Sequence, residues 1–198
     1  MTRALNQLVI PALSAALLAS CTTHGGNTFL LATKVIAATG TLDPLTKLIT
    51  GCKLDPGAKE LAFPAFDTTN ALALGIVLEN RLAATATVTK PESNDFVAEK
   101  FVVNYESTGT GSVSISEQSL PAQGYVTAGG IGVAVGLLMP VSVETALTGL
   151  SSVRIHVYVV GKLSDGTTVK SSDYEFIAVP GGPNCATAVP LCITCFGG

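Results

Sequence analysis

The chain has no tryptophan, and only 13% of its residues carry charge, against about 25% in an ordinary soluble domain. Basic side chains number 11, are scattered, and never cluster beyond two in a row, so the electrostatic footprint of a nucleic-acid partner is missing. Imidazoles are equally scarce. His24 and His156 are the two present, and neither lies in a pattern that supplies a nucleophile and an orienting acid. No Gly-x-Ser-x-Gly elbow accompanies the many serines, and no Asp-x-Asp loop offers a calcium cradle. Gly109, Gly111, Gly129 and Gly130 are not flanked by the strand and helix of a phosphate-binding loop. These absences predict no cofactor, no metal and no enzyme. The competing reading is a small envelope hydrolase assembled from scattered Asp, Glu and His156. His156 itself reads as an exposed or hydrogen-bonded strand residue. Asp43, Asp55, Asp67, Asp95, Asp165 and Asp173 all stand at turn-like or strand-end positions, where a short carboxylate bonds nearby backbone.

The first apolar run is distinctive. Arg3 supplies a short positive segment, and Leu5 to Leu18 is uncharged, too short to span a bilayer and built like a secretory signal. Leu18, Ala19, Ser20 and Cys21 close it and resemble the lipobox of bacterial lipoproteins. Ordinary export cleavage also accepts Ala19 and Ser20, so a plain secreted chain is the alternative. The resemblance implies cleavage before Cys21, a diacylglycerol on its thiol and an acylated new amino terminus. Thr22 in place of Asp departs from the inner-membrane retention signal and favours the outer membrane. Several acyl chains are needed for stable attachment, because each buried methylene contributes only about 0.8 kcal/mol. The expected partners are therefore the membrane, through this lipid, and an envelope or surface protein or a glycan.

An exported chain meets an oxidising compartment, and Cys52, Cys185, Cys192 and Cys195 are then candidates for disulfides. Four cysteines allow three pairings; if all are paired, at least one of the three near the C-terminus must join Cys52. By the chain-entropy model such a closure contributes about 5 kcal/mol at most. Four thiolates on zinc, or a redox dithiol at Cys192-Ile-Thr-Cys195, are weaker readings. Cys52 stands alone rather than in a close pair, and Pro190 leaves little room for the helix that lowers a redox thiol's pKa.

The division expected is a signal over residues 1–20, a lipid-attached tether and N-terminal segment over 21–51, and one β-sandwich domain with a cysteine-bearing tail over 52–198. Short alternating runs separated by turn residues predict strands near Glu60–Phe66, Ala71–Ala83, Ala84–Lys90, Phe96–Ser107 and Val113–Ile115, and Phe29–Ala38 reads either as a strand apolar on both faces or as an apolar extension of the tether. In the Phe96 run, the register of Val97, Glu99, Phe101, Val103 and Tyr105 is the more apolar. Asp43-Pro44 opens a possible short helical turn ending at Gly51. Gly129–Val143 is uncharged and reads as a strand buried on both faces, with a lipid-touching patch as an alternative. Val153–Leu163 and Thr168–Val179 flank Ser164-Asp165-Gly166-Thr167, a hairpin signal of the type I′ kind, with Val153, Ile155, Val157 and Val159 inward and Arg154, His156 and Tyr158 outward. Such a pattern predicts an all-β, antiparallel sandwich. Val153 to Phe176 resembles the terminal hairpin of bacterial lipoproteins with an immunoglobulin-like sandwich, a resemblance that implies no activity.

Overall fold

The computed structural model describes residues 29–37, 39–42, 49–66, 72–84, 93–109, 111–113, 115–147 and 149–180. Eleven strands and one short helix follow in order: β1 (Leu30–Ile36), β2 (Thr39–Leu42), β3 (Ile49–Lys53), β4 (Ala65–Phe66), β5 (Leu72–Asn80), β6 (Phe96–Ser107), β7 (Gln118–Val126), β8 (Ile131–Met139), α1 (Val141–Ala146), β9 (Val153–Leu163), β10 (Thr168–Lys170) and β11 (Tyr174–Pro180). The expected all-β, antiparallel architecture is present. Its main sheet runs β1-β5-β8-β7-β6-β9-β11-β4, with β10 continuing the β11 side of β9, while β2 and β3 form a separate pair. The two apolar faces that a sandwich presses together are here the inside of one sheet, curled until it nearly closes into a barrel. At one end the seam is bridged directly, where Ser172 N–H donates to the Leu30 carbonyl at 2.8 Å. Further along, a strap over residues 54–66 fills it. Leu61 N–H donates to Val35 O on β1, and Val179 N–H on β11 donates to Pro64 O.

The sheet starts at Leu30, not at residue 52, because β1 pairs with β5 along its length. Of the two readings of the Phe29–Ala38 run the strand is the one present, as β1, and the expected strand near Ala71–Ala83 is β5. Glu60–Phe66 shortens to the two residues of β4, the rest being strap. Val113 and Ile115 pack partly against the core but lie outside any strand. The neighbouring strand is instead β7, which Pro121 and Gly124 disguise. Pro121 sits opposite a bulge between Ala98 and Lys100, where the β6–β7 ladder is already irregular and a missing N–H costs little. Ala84–Lys90 and the turn at Asp43 fall at or beyond the limits of the described residues.

That bulge also settles the register of β6. Phe96 and Ala98 face the core before it, and Phe101, Val103 and Tyr105 face the core after it. One extra residue moves the side-chain alternation by one, so each of the two sequence registers is apolar for half of the strand.

Small residues line part of the inner wall. Gly161 on β9, Ala98 on β6, Gly124 on β7 and Ala134 on β8 are cross-strand neighbours in one row. A Cβ at Gly161 would overlap the Val97 carbonyl oxygen and stand 2.8 Å from Phe96 Cζ; one at Gly136 would overlap the Pro121 oxygen and stand 3.0 Å from Phe101 Cε2. The room left by missing side chains is thereby filled by two fully buried rings. Leu72, Leu74, Ile76 and Leu78 of β5 complete the same core, with the aliphatic row of β9. α1 follows β8 and presses Val143 onto this core, as does Leu147 just beyond it.

The β9–β10 hairpin forms, with a different turn from the one expected. Gly166 N–H donates to Leu163 O and Leu163 N–H to Thr167 O, which leaves three residues in the loop and Gly166 at φ 90°. This is a type I turn followed by a glycine bulge rather than a two-residue type I′ turn. Thr167 N–H donates to Asp165 Oδ1 at 2.8 Å, and the bonds from Thr167 hold this carboxyl below its usual range.

Candidate functional site

Polar chemistry gathers in three places. The first is the outer wall of β6, β9 and β11. The alternation of β9 sends Val153, Ile155, Val157 and Val159 inward to full burial, so Arg154, His156 and Tyr158 necessarily point out, as expected. Antiparallel pairing places Asn104 opposite His156 on one side and Glu175 opposite it on the other. Around the half-buried ring, Nδ1 lies 3.2 Å from Asp173 Oδ2, while Nε2 lies 3.7 Å from Glu106 and 4.0 Å from Glu175. Arg154 Nε contacts Glu175 at 2.8 Å, and Asn104 donates to Glu117 at 3.2 Å. Beyond these, Lys170 Nζ stands 5.3 Å from the Tyr158 ring centre. Partial burial, then the charges of Glu117 and Asp173, raise the Tyr158 phenol above its ordinary range.

Carboxylates thus converge beside His156, a grouping that spacing along the chain does not reveal because it joins three strands. Asp173 and His156 have the arrangement of an orienting acid and a base. The other nitrogen, which would take a nucleophile's proton, faces two more carboxylates. The ring is thus held between carboxylates on both of its nitrogens. No His, Cys, Asp and Glu group suited to holding a metal occurs among the described residues.

The second place is buried. Asp95, just before β6, accepts hydrogen bonds from the Tyr125 hydroxyl and from Ala128 N–H at 2.8 Å, while its own carbonyl accepts from Ser164 N–H at 2.9 Å. It therefore ties the β7–β8 turn and the β9–β10 turn to one end of the barrel. Asn80, also buried, does the same work beside it, donating to Asn94 O at 2.8 Å and accepting from Leu82 N–H. Asp95 was expected at a strand end; its burial had no marker in the sequence.

The third place is the opposite end of the barrel. Glu144 on α1 is fully buried, and Tyr105 donates to Leu138 O at 2.6 Å. Burial, reinforced by the negative charge of Glu144, pushes the Tyr105 phenol far above its ordinary range. Sequence reasoning missed this carboxylate. Its only sign is the apolar pair Val143 and Leu147 around it.

Cys21, Cys185, Cys192 and Cys195, the lipidation and disulfide candidates, lie outside the described residues. Cys52 lies in β3. No helix among the described residues is long and apolar enough to cross a membrane. No family model matches the chain, and no curated protein or solved structure matches it.

Proposed function

We propose that this chain is a lipid-anchored, non-enzymatic envelope or surface lipoprotein, held at the outer membrane through Cys21, whose barrel serves as a binding or structural module. The anchor rests on Leu18–Cys21 and the apolar run before it. The binding role rests on one observation: His156, Arg154, Glu106, Asp173 and Glu175 stand together on the exposed wall of strands whose opposite face is locked in the core. Such a wall is rigid, rich in hydrogen-bonding groups and net acidic, and it fits a basic surface of an envelope or surface protein, or a hydroxyl-rich glycan.

A photo-crosslinking residue in place of Asn104, carried by the full chain in its native envelope, tests this. The expected result is a discrete adduct that disappears when Asp173→Lys and Glu175→Lys are added. Adducts unchanged by those reversals would overturn the reading. The His156–Asp173 contact favours one second reading, a small hydrolase. Ester turnover by the purified chain that is lost in His156→Gln would decide for it.

A further inference from the structure

From Gln118 to Val143 no residue carries a charge, and this stretch forms β7, the β7–β8 turn, β8 and the start of α1. Its inner face is accounted for by the core. Its outer face is covered only in part, where Val133, Leu54 and Ile36 gather over Gly75 of β5. Ile131 is 62% exposed, Tyr125 48%, Val141 40% and Leu137 38%, and Val97 of β6, cross-strand from Tyr125, is 43% exposed. Val133 and Val135 lie between them on the same face of β8. Among the described residues, four of the six large exposed apolar side chains, Val97, Tyr125, Ile131 and Leu137, share this outer face, Val141 follows on α1, and Phe63 lies on the strap. Tyr125 completes the picture, its ring outward and its hydroxyl held by Asp95.

The place where the chain enters the barrel says what covers this face. Leu30 pairs with Asn80, and the adjacent Glu79 pairs with Ile131, so the first strand begins two strands from the most exposed residue of the patch, about 10 Å away at ordinary strand spacing. Seven residues lie between Cys21 and Phe29, a leash of eight steps that reaches at most about 29 Å when fully extended. Acyl chains on Cys21 would hold that end of the barrel beside the bilayer. The charges bordering the patch are of both signs: Lys100 stands opposite Pro121, Lys162 opposite Val97 pairs with Glu99 at 3.0 Å, and Glu79 opposite Ile131 pairs with Arg81 at 2.9 Å, while Glu106, Asp173 and Glu175 stand on the β9 side away from it.

We propose that the outer face of β7 and β8 rests on the phospholipid bilayer, with Ile131, Leu137, Val141, Tyr125 and Val97 at the headgroup boundary and the His156 wall turned away from the lipid. This inference rests on the lipid-anchor reading of Cys21. It adds an orientation: the tether brings the barrel to the membrane, and this face settles on it.

The chain lacks tryptophan, so a single introduced indole reports its own surroundings without background. The full acylated chain is placed in vesicles of phosphatidylethanolamine and phosphatidylglycerol with brominated acyl chains, carrying Ile131→Trp, Leu137→Trp or Tyr158→Trp. Matching thermal melts establish that each variant is folded. Blue-shifted emission and several-fold quenching are expected at 131 and 137, with neither at 158. Flotation with the vesicles and the mass of the Cys21 peptide report the anchor separately. A floating, acylated protein with all three indoles unquenched, or all three quenched alike, overturns the proposed face and leaves the anchor standing. Burial of the 131 indole against a second copy, seen as dimerisation without quenching, also overturns it. Quenching at 131 and 137 in a protein with an unmodified Cys21 sustains the face and removes the anchor. A free Cys21 thiol without flotation removes both.

Discussion

β8 and β9 line the same core and differ in how they use their two faces. β9 sends large aliphatic side chains in and ionisable ones out. β8 sends Gly132, Ala134 and Gly136 in, opposite Leu78, Ile76 and Leu74 of β5, and sends Ile131, Val133, Val135 and Leu137 out. The barrel is filled from one side by bulk and closed on the other by its absence. From Ile131 to Leu137 the hydrophobic side chains of β8 therefore contribute little to the interior, which its large side chains enter only at its end, with Leu138 and Met139. The exposure of the outward ones needs another reason, and the proposed contact with lipid supplies it, whereas the outward residues of β9 are suited to a polar partner.

The sharpest way to break this comparison is to remove the ring that the small residues of β8 accommodate. Phe101→Ala should cost about 4 kcal/mol in denaturant unfolding, because the glycine opposite cannot fill the cavity. The converse change, Gly136→Val, drives a side chain into Pro121 O and the Phe101 ring. It should cost about 3 kcal/mol and weaken hydrogen-exchange protection along β7 and β8. If Gly136→Val were neutral, the inner wall of β8 would not be the close-packed surface described.

The same comparison explains which elements are legible in the sequence. β9 alternates in hydropathy because its outside is wet and charged, so its orientation and its hairpin follow from pattern alone. β8 does not alternate, since glycine and alanine face the core and valine and isoleucine face away. An uncharged run of this kind reads as buried on both faces, and the structure leaves its outer face partly exposed. β6 defeated a single-register reading for a local reason, the bulge before Lys100. β7 was hidden by a proline that the same bulge tolerates. The grouping around His156 was legible only as an outward histidine, because Glu106, Asp173 and Glu175 reach it through pairing between distant strands.

Buried and exposed carboxylates extend the contrast. Asp95→Ala removes the acceptor for Tyr125 and for Ala128 N–H at the end of the barrel, and should cost about 2 kcal/mol by thermal or denaturant unfolding. At the other end, Tyr105 adds a pH dependence. Its phenol ionises at higher pH in the folded chain than in the unfolded one, so its contribution is complete below the ordinary tyrosine value of 10.0 and is lost as pH rises beyond it. Tyr174, pushed up to about 12 by burial and then by its hydrogen bond to Glu60, acts in the same sense but is more exposed. Melting temperatures should therefore fall through the window from pH 10 to 12, and Tyr105→Phe should flatten that fall while costing about 1 kcal/mol at neutral pH. An alkaline limb unchanged by the substitution would show that Tyr105 is not the group responsible.

The smallest effect is expected where the chemistry looks richest. His156 has three carboxylates within 4.0 Å, yet all of them are exposed and all are on the outer wall. Exposed ion pairs gain little, since water and salt screen them and ordering their side chains costs entropy. His156→Gln should shift stability by less than about 0.5 kcal/mol. A large loss would mean that the wall is part of the scaffold. A negligible loss, accompanied by disappearance of the adduct formed from position 104, would separate recognition from folding and assign these side chains to the partner.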